Sequence, residues 1–548
     1  MISIAFILTA ILIGVPAWWL LKDFVLRSPL DKIPGPPSPS LLAGHLGRLF
    51  HRHEGWKLHN ELASNYGPVS SLKGGFGKRM LYVRDPTALH SIIIKDQQFY
   101  EESSFSISMI YLVFGEGLIA TLSDQHRKQR KMLNPVFSIN HMRHMTPIFY
   151  HVAHKLREGV ENQVRQGTGD VDILNWMGRT ALELIGQGGL GYSFDPLVKN
   201  SKSEYGDAIK ATLPAMFALG GTQFLVPYLL KLGPPGFRRW VLDHLLPDRR
   251  VQHLKDIADY LDSQARSLIS KKRLALKEGD EAVTQQVGEG KDIMSILMRA
   301  NMAASESERL TEEELVGQMS ILIFAATDTT SGALSQILQL LAEHPDAQER
   351  LRKEILDARA PSGEDIPYDQ LIELPYMDAI CRETLRLFPP VTDVYRDAKK
   401  DMVLPLASPI RDLDGKWMSE IPIPNDTRLI VSIRGCNRSK QIWGEDANEW
   451  KPERWLSPLP GSVTDARVPG VYSNMMTFLG GGRSCIGFKF SQLEMKVVLS
   501  LLLGSFKFSL PDHEIVWNLA GVKYPTVGRI SNTPSMPMKV ELLNEKAL

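Results

Sequence analysis

Phe478-Leu-Gly-Gly-Gly-Arg-Ser-Cys-Ile-Gly487 is the stretch from which the rest of the chain is read. Three consecutive glycines, Gly480 to Gly482, let the backbone turn sharply and come close to a flat partner. Arg483 sets a permanent cation two residues before the sulfur of Cys485. A helical apolar pattern follows, with Ile486, Phe490, Leu493, Val497 and Leu501 on one face. A sulfur at such a helix start meets free N–H groups and the positive end of the helix dipole, both of which favour the thiolate. A thiolate of this kind is a good axial ligand for haem iron. Taken singly, a cysteine before a helix also reads as a small buried hydrophobe, and a glycine run as a turn.

The totals narrow the classes. The chain has 548 residues, 43% hydrophobic and 23% charged, which is ample for a deep globular core. Length alone would suggest about three domains, although large single-core enzymes exceed that rule. A net charge of +1 removes any bulk electrostatic case for nucleic acid. Cys381, Cys436 and Cys485 are too few, and odd in number, for a disulfide framework, so the main unit belongs in a reducing compartment. No Cys-x-x-Cys, His-Glu-x-x-His, phosphate loop, flavin or nicotinamide fingerprint is present. Electrons, if the chain uses them, come from another protein.

In chain order, residues 2–21 are almost entirely apolar and uncharged, and about twenty helical residues span roughly 30 Å, one hydrocarbon core. Trp18 and Trp19 fall where an interfacial belt would lie, and Lys22, Arg27 and Lys32 follow. Residues 1–21 therefore read as an N-terminal transmembrane signal anchor with the following domain on the cytosolic side. The alternative, a cleaved signal peptide, lacks a basic start and a small-residue cleavage site. Residues 22–40 form a basic, proline-rich hinge around Ile33-Pro-Gly-Pro-Pro-Ser-Pro39, and 41–548 the remaining globular unit. Two short strands are expected between Pro68 and Val83, turning at Gly74–Gly77, where no Lys-Ser/Thr helix follows to make a phosphate loop. Residues 124–131 are dense in cations, 145–275 read as several helices, and 273–291 as a polar surface loop.

Thr311-Glu-Glu-Glu314 is a capping-box pattern, and the helix it opens runs to about Glu343 before Pro345, roughly 50 Å. Its middle is apolar from Ile321 through Phe324, Ala325 and Ala326. Then come Thr327, Asp328, Thr329, Thr330, Ser331 and Gly332. Threonine hydroxyls bond back to carbonyls and bend helices, and a buried carboxylate is costly without a purpose. The stretch is either a polar kink on buried water or a hydroxyl beside a carboxyl that carries protons. Glu383-Thr-Leu-Arg386 places opposite charges on one helix face, but Glu306…Arg309 and Glu349…Arg352 share that spacing. Leu387-Phe-Pro-Pro390 follows it, with Pro452-Glu-Arg-Trp455 further on.

Phe478, Gly481, Arg483, Cys485 and Gly487 fill every fixed position of Phe-x-x-Gly-x-Arg-x-Cys-x-Gly, and the stretch resembles the haem-binding loop of the cytochrome P-450 superfamily. The resemblance covers nearly the whole chain in family order: anchor, hinge, long helix, Glu-x-x-Arg, Pro-Glu-Arg-aromatic and cysteine loop. It implies a mainly α fold with a small β portion, a single large haem-thiolate catalytic domain over 41–548, preceded by the transmembrane helix. It implies haem b with Cys485 as the axial ligand of its iron, and O2 as co-substrate. Arg483, Arg396, Arg130 and His126 would contact the haem. His126 stands where the family has tryptophan, and an imidazole N–H still donates to a carboxylate. Asp328 and Thr329 match the family's acid–alcohol pair, with Ala326 in place of glycine. Glu383, Arg386 and Arg454 would form a buried structural lock. Phe324, Ala325, Ala326, Thr392 and Val394 would face the substrate. Residues 213–230 would form a mobile lid, or else plain core, and 521–529 a turn closing the pocket.

The first functional reading is a membrane-anchored monooxygenase of the microsomal type, on the cytosolic face of the endoplasmic reticulum. It would insert one oxygen atom into a lipophilic small molecule, with terpenoid or other secondary metabolite as the leading class and fungal secondary metabolism as the setting. NADPH would act through a separate cytochrome P-450 reductase, with a cytochrome b-type donor as a further partner. Arg127, Lys128, Lys131, Lys489 and Lys496 would attract that acidic flavoprotein. A haem-thiolate isomerase or dehydratase without a reductase, and a haem-binding sensor, are the alternatives; neither needs the Asp328–Thr329 pair. The sequons at Asn425 and Asn437 would go unused on the cytosolic side.

Overall fold

The computed structural model describes residues 21–543, together with 14 and 18, apart from 168, 196, 198–203, 279–289, 364 and 473. The expected anchor at 1–21 thus lies almost wholly outside the described residues, as does most of the expected loop at 273–291. The first part of that loop is helical to Glu278.

The helices that frame the interior are α1 (Glu54–Asn65), α2 (Ser104–Phe114), α3 (Ser123–Leu133), α4 (Ile139–Arg165), α5 (Ile173–Leu184) and α6 (Glu204–Ala218). They continue with α7 (Arg249–Glu278), α8 (Glu312–Glu343), α9 (Pro375–Leu387) and α10 (Phe488–Ser505). The buried faces of α4, α5, α8 and α10 make one continuous core. α8 packs along α5, α7 and α10, and α10 along α4.

α8 starts where the capping box places it: Thr311 accepts from the Glu314 N–H, and the Glu314 carboxylate accepts from the Thr311 N–H. It runs without a break to Glu343. The threonine hydroxyls do bond back, Thr327 to Ile323 O and Thr329 to Ala325 O, and the helix stays continuous through them. Burial on neighbouring helices outweighs the local competition for carbonyls. Among the described residues α8 is the one helix long and apolar enough to cross a membrane, and most of it is buried as a core helix. At Gly317 a Cβ would fall 2.5 Å from the backbone nitrogen of Gly117, so only glycine lets the following loop of α2 press on α8.

The β portion is small. One sheet has strands β1 (Val69–Lys73), β2 (Arg79–Val83), β3 (Tyr100–Glu102), β4 (Asp393–Ala398) and β5 (Arg428–Ser432), in the order β1-β2-β5-β4-β3. β1 and β2 form the antiparallel hairpin expected around Gly74–Gly77. β2 pairs parallel with β5, which requires the long connection through most of the helical part. The register of β3 against β4 sets Glu102 opposite Arg396. A hairpin of residues 515–518 and 524–527 reaches over the interior from the C-terminal part.

Candidate active site

The cysteine loop is built as its glycines require. Gly481 has φ +66°, and a Cβ there would sit 2.3 Å from the Ile93 carbonyl oxygen. The Cys485 N–H donates to Phe478 O at 2.8 Å, closing the loop on itself. α10 begins at Phe488 with Gly487 as its cap, so the sulfur sits just ahead of the helix. Cys381 and Cys436 are buried, whereas the Cys485 side chain is exposed, and it lines an interior cavity of about 530 Å³.

That cavity gathers most of the residues singled out in the sequence. Phe478, Arg483 and Gly487 from the loop meet His126 and Arg130 from α3, and Phe324, Ala325, Ala326 and Thr329 from α8. Thr392, Val394 and Arg396 come from β4 and the residue before it, and Leu519 to Val522 from the C-terminal hairpin. Leu213, Met216, Phe217 and Gln223 close it from the 213–230 segment, whose Leu225, Tyr228 and Leu229 are exposed. That segment is therefore partly cavity wall and partly surface.

Three arginines converge. Arg130 donates to Ser484 O (2.7 Å) and Ser484 Oγ (3.0 Å), tying α3 to the cysteine loop. Arg483 reaches Thr121 O (2.6 Å) and pairs with Glu102 at 3.1 Å. Arg396 pairs with the other oxygen of Glu102 at 3.0 Å. Burial, with Arg483 and Arg130 beside it, pushes His126 down to about 3, so its ring is neutral. Glu102 is a partner that no local pattern announces; only the β3–β4 register reveals it.

At Cys485 the desolvation by surrounding protein raises the thiol above its ordinary value, while the Gly487 N–H and Arg130 pull it down. A coordinating cation deprotonates a thiol outright.

The α8 polar stretch divides between two sides. Thr329 faces the cavity with its hydroxyl donated to Ala325 O (2.7 Å). Asp328 is half-buried and is not among the residues that line the cavity. Desolvation pushes its carboxyl up to about 7, with Lys210 of α6 the opposing influence. Lys210 is lowered by burial and feels Asp172, Asp207 and Asp328; its Nζ donates to Asn175.

The lock closes as a network. Arg386 and Glu383 are fully buried and share two hydrogen bonds of 2.8 Å. Arg454 Nε reaches Glu383 at 3.4 Å, and Trp455 Nε1 adds a bond of 2.9 Å. Arg386 also donates to the carbonyls of Asn437 and Ala447. Asn437 is buried and bonded to Thr477 and the Met476 N–H, so in the folded protein its sequon is inaccessible.

A thiol, three guanidiniums and an apolar lining suit a flat, largely apolar macrocycle that carries two carboxylates and a metal. The family model for cytochrome P-450 matches residues 34–524. The chain belongs to the cytochrome P-450 family. Cytochrome P-450 monooxygenase 91 of Postia placenta is 55% identical over 95% of this chain and 96% of that protein. A ganoderic acid synthetase of Ganoderma lucidum is 47% identical over 96% of each. A cytochrome P-450 monooxygenase of Hericium erinaceus is 37% identical, again over 96% of each. This cytochrome P-450 is a monooxygenase of a haem-thiolate family that uses dioxygen, and its mainly helical fold with a small sheet is that of the family.

One expected surface residue is misplaced. Lys496 is buried, with Nζ on Asp378 (2.8 Å) and the Ile372 carbonyl, and cannot meet a redox partner. Its place on α10 turns it inward, a facing that the count of cations near Cys485 did not register. Arg127 and Lys131 are well exposed.

Proposed function

We propose that this cytochrome P-450 oxidises a lipophilic secondary metabolite, with terpenoids the leading class, using NADPH through a separate reductase at the cytosolic face of the endoplasmic reticulum. The observation that carries this reading is the apolar chamber that opens onto Cys485. When bound, haem iron would activate dioxygen and deliver one oxygen atom to the substrate.

The chain's own residues supply the rest. Cys485 would hold the iron as its thiolate. Arg130, Arg396, Arg483 and the neutral ring of His126 would hold the haem carboxylates. Phe324, Ala325, Ala326 and Val394 exclude water and shape the chamber around the substrate, with Thr392 beside them. Asp328, poised near neutrality, and Thr329 would pass protons inward from the α6 side. Glu383, Arg386 and Arg454 keep the chain beneath the cysteine loop in place and take no part in the chemistry.

The membrane reading rests on residues 2–21 and the hinge at 22–40. The exposed Leu41, Leu42, Leu225, Tyr228, Leu229 and Trp240 support it as further apolar surface. The secondary-metabolite class draws on the name of the Ganoderma relative. Co-expression with a reductase in cells fed terpenoids, followed by mass spectrometry, tests the activity. Cys485→Ala should lose the thiolate-type band of the reduced, carbon monoxide-bound form. An unchanged band removes the ligand assignment.

A further inference from the structure

One wall of the chamber is polar, and nothing in the reading above uses it. His59 of α1 and Asp393 at the start of β4 both line the cavity. Their side chains are 1% and 7% exposed, and His59 Nε2 stands 3.3 Å from Asp393 Oδ2. That approach is not aligned as a hydrogen bond: His59 Nε2 and Asp393 Oδ1 are both buried without a hydrogen-bond partner. Unpartnered buried polar atoms are costly, and two side by side in a cavity wall call for an occupant.

The surrounding bonds assign the donors. The Gly435 N–H donates to Ser432 Oγ, leaving that hydroxyl to donate to Tyr82 Oη. Tyr82 then donates to His59 Nδ1 at 2.9 Å. Nε2 therefore carries the ring proton, an assignment made from the network. Burial and Arg434 hold His59 below its usual range, with Asp393 pulling the other way, so the ring is neutral. Asp393 Oδ2 already accepts from Thr392 at 2.9 Å. What is left over is one N–H donor beside one carboxylate acceptor.

We propose that His59 and Asp393 form a subsite for an uncharged alcohol group of the lipophilic substrate. The hydroxyl donates to Asp393 Oδ1 and accepts from His59 Nε2–H. An ether can only accept. A carboxylate is repelled by Asp393. Arg396, three residues further along β4, shares Glu102 with Arg483, so Asp393 begins its strand roughly 10 Å from that arginine. The subsite rests on reading the cavity as the substrate chamber of a haem enzyme.

The test uses the haem-loaded full chain and matched alcohol, methyl ether and carboxylate forms of C15, C20 and C30 terpenoids. Binding is read from the shift of the ferric Soret band. Each protein is first checked for the thiolate-type carbon monoxide band. Its absence from wild type would count against the haem reading and not against the subsite. At least one alcohol should bind about ten-fold or more tighter than its ether. Asp393→Ala should bring that ratio near one while leaving ether affinity alone, and His59→Phe should weaken alcohol and ether alike. Asp393→Asn, the variant closest in shape, should gain affinity for the carboxylate form, which a merely structural role would not produce. No alcohol binding, no preference over the ether in wild type, an undiminished preference in Asp393→Ala, or unweakened binding of both ligands to His59→Phe overturns the proposal.

Discussion

Glu102 and Arg396 face each other across the β3–β4 ladder, and the same carboxylate holds Arg483 two residues ahead of Cys485. One acidic side chain thus clamps two of the three arginines at the proposed haem edge. A fixed negative charge there favours the oxidised metal. Glu102→Gln should move the ferric/ferrous midpoint potential positive, on the order of tens of millivolts for a charge about 10 Å away at an effective dielectric of about 20. Spectroelectrochemistry reads it, and an unmoved potential denies Glu102 this influence.

Asp328 gives a stability signature independent of turnover. Its carboxyl titrates near 7 in the folded chain against an ordinary 3.8. The folded state therefore binds more protons between those values, and stability falls as pH rises from about 4 to 7. Asp328→Asn removes this loss. Its unfolding free energy from urea titration should match wild type below pH 4 and exceed it increasingly up to pH 8, by on the order of 4 kcal/mol at most. Parallel curves for the two proteins would show that Asp328 is not held neutral.

Thr329→Ala removes a cavity hydroxyl whose proton goes to Ala325 O. If that hydroxyl takes part in proton delivery, the variant should divert electrons to peroxide and lower the product formed per NADPH. Equal yield in both proteins would leave Thr329 with a packing role only.

Glu383 receives hydrogen bonds from Arg386, Arg454, Trp455 and the Lys451 N–H at zero exposure. Glu383→Ala strands buried cations and should cost about 3–5 kcal/mol. The expected readout is haem-poor, aggregating protein and not a slower soluble enzyme. Full haem content in this variant would contradict the structural role.

Arg127 and Lys131 are exposed, while Lys496 is not. Charge reversal at Arg127 and Lys131 should raise the KM for reductase, with the difference shrinking as salt rises. Lys496→Met should leave that KM unchanged in whatever protein folds.

The legible parts of this chain are local. The Thr311 capping box and Pro345 bound α8 because caps and breakers act within a few residues. The glycine run around Cys485 announces itself because a left-handed φ and a 2.3 Å approach exclude other side chains. Asp328 stood out as a carboxyl in an apolar helix, and desolvation there raises it. At Cys485 the helix start is a local preference that favours the thiolate, and desolvation by the surrounding protein acts against it.

From the amino-acid order alone came the family resemblance, the helix that crosses the molecule and the cysteine that faces the cavity. Only the tertiary structure set Glu102 against Arg396 and Arg483, Lys210 toward Asp328, Lys496 inward and His59 beside Asp393. Periodicity and capping report on neighbours within a turn or a strand. Residues 59 and 393 meet because α1 packs beside a sheet whose strands come from both halves of the chain. Which charges are paired and which polar atoms are left without partners is decided by that long-range register.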